Sequence, residues 1–143
     1  MAAGDLTVFD EAKLALLDGT HDLDTHVIKL AICDNTVAPT AGTATPTLGD
    51  FTEVGAAGTY VTGGTTLTIN LTEAAGTVTF DATNNPTWAQ DASNDIDAYW
   101  GIVYNDTAAG NEAIAFVDLG GAVDMTAGDL TVTWNASGLF TLA

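Results

Sequence analysis

Apolar side chains recur at every second position in several short stretches of this chain. In residues 26–33, Ile28, Leu30 and Ile32 fall on one face, and Val27, Lys29 and Ala31 fall on the other. In 65–72, Leu67, Ile69 and Leu71 alternate with Thr66, Thr68, Asn70 and Thr72. The same alternation places Val78 and Phe80 against Thr77, Thr79 and Asp81 in 77–81. In 129–135 it places Leu130, Val132 and Trp134 against Asp129, Thr131 and Thr133. A period of two with threonine on the second face marks half-buried strands in a sheet with one solvated side. Residues 98–104 and 113–119 depart from the pattern, being apolar on both faces. They predict central strands, covered on both sides or lining a subunit contact.

Turn formers punctuate these runs. The stretch from Asn105 to Asn111 predicts a hairpin connection between the two central strands. Asn135, Ala136, Ser137 and Gly138 predict a second hairpin, pairing the Trp134 strand with residues 139–142. Residues 9–17 resist the strand reading. There Asp10 is a candidate cap, Glu11 sits in the first turn, Gly19 lies just past the end, and Phe9, Ala12 and Leu16 share a face. Residues 34–64, with Pro39, Pro46 and the region from Gly55 to Gly64, read as a long loop with short strands near 51–54 and 60–62; 82–97 reads as a second loop. The prediction is all-β: one antiparallel β-sandwich or jelly-roll-like domain spanning 1–143. A segment 1–20 carries a short helix, and a long Thr/Gly-rich loop covers 34–64.

Charge narrows the function. Nineteen acidic side chains face two basic ones, Lys13 and Lys29, for a net charge of -17. Gripping nucleic acid requires Lys and Arg to neutralise phosphates, and anionic lipid makes the same demand, so neither is an expected partner. No apolar run approaches the roughly 20 residues needed to span a bilayer. The N-terminus from Met1 to Asp5 has neither the basic residue nor the apolar run of a secretory signal. Cys33 is the single cysteine, so no internal disulfide is expected.

Candidate chemistry is sparse. His21 and His26 flank Asp22 and Asp24, but the spacing offers no convincing third ligand, and surface polarity is the simpler reading. Asp91, Asp95 and Asp97 are oxygen donors on a loop but lack the spacing and glycine of an EF-hand. Ser93 and Ser137 have no nucleophile-elbow context, and Cys33 has no positive sequence neighbour to activate it. The expectation is a protein that is not an enzyme, with no catalytic residue, cofactor or metal. Tyr99, Trp100 and Tyr104 read first as sandwich core, with an oligomer contact as the alternative. Together with Phe9 and Tyr60 they are the residues nominated for an oligomer or capsid contact.

An ordered set of segments carries a resemblance. It comprises 9–14 and 18–25 leading into the strand at 28–32, then 60–64, 76–81, 98–106, 116–120 and the C-terminal run 128–142. In this order the chain resembles small structural proteins of tailed bacteriophages, including cyanophage-type capsid cement or decoration proteins. The resemblance implies a β-sandwich-like homotrimer, made in the host cytoplasm. It would bind the outside of the major capsid lattice, bridge capsomers and stabilise the head. The alternative is a tail- or fibre-associated module recognising host-surface glycans.

Overall fold

The computed structural model describes residues 6–143. The expectations about the first five residues, including the lack of a secretory signal, lie outside the described residues. Strand β1 covers Leu6–Val8, β2 Ile28–Cys33, β3 Thr65–Thr66, β4 Ile69–Ala74, β5 Thr77–Ala82 and β6 Thr87–Trp88. Strand β7 covers Ala98–Asn105, β8 Ala113–Val123, β9 Leu130–Thr131 and β10 Phe140–Leu142; helix α1 covers Asp10–Leu17. The strands form an antiparallel, all-β, sandwich-like fold. It has a five-stranded sheet in the order β1-β8-β7-β2-β3, a three-stranded sheet in the order β10-β5-β4, and a β6-β9 pair.

The two stretches that are apolar on both faces become β7 and β8, with β7 central in the large sheet. Register explains their composition. Ile102 pairs with Ala31 and Phe116, whereas Val103 pairs with Leu30 and Ala115, so successive residues point to opposite faces. All six are buried, so both faces are covered. Burying a side chain such as Leu30 or Ile102 contributes about 1.5–3 kcal/mol. On the Ile102 face, the ring of Phe9 stacks at 6.0 Å on Phe51 and lies 5.1 Å from Phe116.

Phe9 is the residue before α1, and its extended backbone turns the chain from β1 into the helix. Asp10 is thus the first helical residue rather than the cap, and it accepts from Lys13 at 2.7 Å. Ala12 is buried and Leu16 partly so, the face the periodicity predicts.

Five sequence expectations need correction. Residues 65–72 are not one strand: β3 belongs to the large sheet and β4 to the small one. Leu67 still donates to the Ile28 carbonyl (2.8 Å), but the Thr68 N–H turns to the Asn84 side chain (2.6 Å). Alternation records which side is buried, not which strand is the partner, so the crossing between sheets was invisible. The C-terminal hairpin fails for the same reason. The turn closes, Gly138 N–H to Asn135 O at 2.9 Å, but β9 pairs with β6 and β10 with β5. At Gly138, φ is +91° and a Cβ would sit 2.6 Å from Thr79 Cγ2, so only glycine fits. Finally, 82–97 contains β6, and the expected strand at 60–62 is absent. That at 51–54 is reduced to a single bridge between Cys33 and Glu53.

The 34–64 segment is otherwise irregular, as expected, with one turn of 3-10 helix at Leu48–Asp50. Its far end is pinned to the large sheet by buried polar handles. Tyr60 Oη accepts from the Ile32 N–H (3.1 Å) and donates to Glu53 (2.5 Å), and the same carboxylate oxygen accepts from the Gly63 N–H (2.7 Å). Tyr104 Oη donates to the Gly63 carbonyl at 2.8 Å. Gly64 then passes so close to β2 that a Cβ would lie 1.9 Å from the Leu30 carbonyl oxygen.

Candidate functional site

The structure separates the nominated aromatics. Phe9, Tyr60 and Tyr104 are 0–1% exposed, which removes them from the set of contact residues. Each is enclosed because the sheet needs its ring and, for the tyrosines, because the hydroxyl holds the 53–64 loop. Burial, with Glu53 close by, pushes the Tyr60 hydroxyl pKa well above its usual value; burial and Asp106 do the same for Tyr104. Tyr99 and Trp100 remain half-buried near the start of β7. The Trp100 ring packs edge-on to Phe116 at 6.1 Å, and its Nε1–H donates to Asn35 at 2.9 Å.

A clustered, partly exposed apolar face lies elsewhere. In the small sheet, Leu71, Phe80 and Phe140 are laterally paired, as are Val78 and Leu142 in the next row, so all five share one face. Phe80 and Phe140 pack on each other at 4.8 Å. Leu71, Val78 and Leu142, however, are 37%, 38% and 51% exposed. With Leu16 and Leu23 from the α1 side they line a groove of about 480 Å³. Asp22 and Asp24 border it, and Glu73 pairs with Val78 on the same sheet face. Thr25 and the Asp24 N–H donate to Asp22, and these hydrogen bonds hold its carboxyl below the usual carboxylate range.

The charges leave this surface acidic. Lys13 is engaged by Asp10 at 2.7 Å and Lys29 by Asp106 at 2.8 Å, so both lysines of the chain are already paired. The groove residues escaped sequence reasoning because their alternation is the same as that of core strands. Exposure depends on what the opposite layer covers.

A second feature adjoins the groove. His21 is buried, contrary to the expectation of a surface residue, and so is Asn105, the last residue of β7. Asn105 joins loop and hairpin. Its Nδ2 lies 3.1 Å from His21 Nδ1, 2.9 Å from His26 Nδ1 and 3.3 Å from the Thr20 carbonyl. Its Oδ1 accepts from the N–H groups of Thr107 (3.1 Å) and Ala108 (3.2 Å). Burial lowers the His21 pKa, with Glu112 and Asp18 opposing that shift. Glu112 and His21 both line a cavity of about 250 Å³ against α1. The sequence singled out His21 and His26 and the turn propensity of Asn105, but not the contact that joins them.

The acidic loop has structural duties. Asp95 accepts from the Gly55 N–H at 2.9 Å through one oxygen and from the Ile96 and Asp97 N–H groups through the other, and Asp91 accepts from Ser93. Those N–H groups, that of Gly55 foremost, lower the Asp95 pKa. Among the described residues, no group of three His, Cys, Asp or Glu side chains is placed to hold a metal ion, and no helix is long and apolar enough to cross a membrane. Cys33 is fully buried, and burial pushes its thiol up to about 12, so its nucleophilic thiolate is scarce at neutral pH.

No protein-family model, curated protein or solved structure matches the chain.

Proposed function

We propose that this protein is a non-enzymatic adhesive component of a tailed-phage virion, a capsid cement protein. In this reading it is made in the host cytoplasm, and homotrimers bind the exterior of the major capsid protein lattice and stabilise the head. The observation that carries the reading is the groove on the β4-β5-β10 face. It joins exposed Leu71, Val78 and Leu142 to an acidic border, in a chain whose lysines are already paired. Exposed apolar surface rimmed by polar groups is the anatomy of a protein contact. The acidic border favours a partner with an apolar centre and a basic rim. A trimer engaging several subunits would gain avidity, because each contact raises the effective concentration of the next.

The test is occupancy on particles. Purified protein added to capsids that lack it should bind, and Leu71→Asp with Val78→Asp should abolish binding while the thermal midpoint stays within a few degrees. Absence of the protein from purified virions would overturn the reading. So would retention of the double variant, or binding to a glycan array but not to capsids.

A further inference from the structure

Strand β4 is the longest strand with an open edge among the described residues: it has six residues, and every other strand with an open edge has two or three. Asn70 to Ala74 are all exposed. Natural edges of this length are usually blunted by lysine, proline, a bulge or a covering segment. Here both lysines lie elsewhere, the strand has no proline, and its register with β5 runs unbroken from Ile69 to Ala74. The hairpin turn fixes which backbone groups face outward. Ala75 (φ +52°) and Gly76 (φ +86°) form a two-residue turn with both φ values positive, so the flanking pair Ala74–Thr77 exchanges hydrogen bonds. Hydrogen-bonded and non-hydrogen-bonded pairs alternate along an antiparallel ladder, which commits Thr72 and Asn70 to β5 as well. At the far end, the bond from the Thr83 N–H to the Thr68 carbonyl (2.9 Å) keeps the same phase. The N–H and C=O groups of Ile69, Leu71 and Glu73 therefore point away from β5, to the unpaired edge.

These three residues are complementary to themselves. When a second copy of β4 lies antiparallel with Leu71 opposite Leu71, Ile69 falls opposite Glu73 and Glu73 opposite Ile69. All three outward-facing residues then exchange two hydrogen bonds with their opposite numbers. Centring the pairing on Asn70 or Thr72 instead keeps only two such pairs. In the Leu71-centred register the one charged side chain of the strand, Glu73, meets Ile69 and not its own copy, so no like charges lie opposite. Opposed side chains share a face, so the row Phe140, Phe80, Leu71 continues into Leu71, Phe80, Phe140 of the second copy, one apolar row across six strands. On the other face, exposed Asn70 meets exposed Thr72, and the two side chains can hydrogen-bond. Backbone phase, charge and apolar row thus agree in a single arrangement. We infer that a second copy of this chain adds to the β4 edge, about a two-fold axis perpendicular to the sheet at Leu71. Both grooves then open on the same side. The pairing goes beyond the docking reading, because it uses the backbone of the edge and needs no capsid protein; within the trimeric reading it links one trimer to the next.

The experiment cross-links the full-length protein. Asn70→Cys and Thr72→Cys are made as two separate proteins, because these positions form a non-hydrogen-bonded pair across the axis. Cα atoms in such pairs approach to about 4.5 Å, within disulfide reach. Cys33 is fully buried and stays out of the exchange. High sodium chloride screens the repulsion between two chains of net charge -17. Under mild oxidation there, the mixture should give the hetero-disulfide in about tenfold excess over either homo-disulfide. Leu71→Pro in both proteins removes an edge N–H that β5 does not use, and should abolish the cross-link. Should that variant fail to fold, Asn70→Glu with Thr72→Glu puts like charges opposite each other on the exposed face away from the groove. Sedimentation equilibrium should then show pairing weakened about tenfold or more against the unmodified protein. Homo- and hetero-disulfides in statistical proportion, no cross-link, a cross-link that survives Leu71→Pro, or equal association of the double variant and the unmodified protein would each overturn the inference. The double variant keeps Leu71 and Val78, so its binding to capsids reports on the docking reading separately.

Discussion

The large and small sheets are written in the same alphabet, yet they differ in what covers them. Leu30, Ile32, Ile102 and Val103 are 0% exposed, whereas Leu71, Val78 and Leu142, on strands of the same alternating type, are 37–51% exposed. The central strands are enclosed: Phe9, just before α1, packs on Phe116 and Phe51, and the 53–64 loop bonds along the β2 edge through Tyr60 and Val54. The outer rows of β4, β5 and β10 meet only the rim of the α1 segment. Among the described residues, strands β4 and β10 also leave the outer edges of their sheet unpaired, and natural proteins usually blunt or cover such edges. Under the proposed function, stability and adhesion fall to different regions: what is sealed holds the fold, and what is half-sealed has burial left to gain from a partner.

That comparison can be broken most sharply at Phe116, which contacts both Phe9 and Trp100. Phe116→Ala should cost about 3–5 kcal/mol in urea denaturation. A loss below 1 kcal/mol would show that the large sheet does not dominate stability. Next in size is Asn105→Ala, which strips partners from two backbone N–H groups and two imidazoles. A loss of about 2–3 kcal/mol is expected, with amide exchange accelerating first at Thr107 and Ala108.

Acid should act on the same hub. The folded pKa of His21 is lowered from 6.5, so between those values the unfolded chain holds a proton that the folded chain does not. Stability should accordingly decline as pH falls through about 6.5, and His21→Gln should flatten that part of the profile. A further decline is expected below about 3.8, where Asp22, Asp95 and Asp124, all lowered in the fold, become protonated in the unfolded chain first. The smallest stability effect belongs to the groove. Leu71→Ser and Val78→Ser should each change stability by no more than about 0.5 kcal/mol. Losses as large as those in the central strands would erase the distinction between the two sheets.

Much of the fold was legible in the residues. Two-faced apolarity identified β7 and β8 as central, Asn105 to Asn111 marked their hairpin, and Phe9 with Ala12 and Leu16 marked the buried face of α1. Those signals are local, set by the backbone period and by turn chemistry within a few residues. The candidate sites were almost illegible. Tyr60 was nominated for contacts and is enclosed; Tyr104, read first as sandwich core, is core; Leu71 and Val78 lay on the apolar face of alternating strands and are exposed; His21 looked superficial and is buried.

The sequence by itself determined the strand alphabet, the acidic charge and the central hairpin of β7 and β8, because period and composition are properties of adjacent residues. Only the tertiary structure decided that β3 and β4 part company between two sheets and that β10 joins β5 rather than β9. It alone also brought Asn105 to His21 and left one sheet face half covered. Each of those outcomes depends on which distant segment supplies the missing hydrogen bond or apolar layer, and a period of two carries no information about the partner.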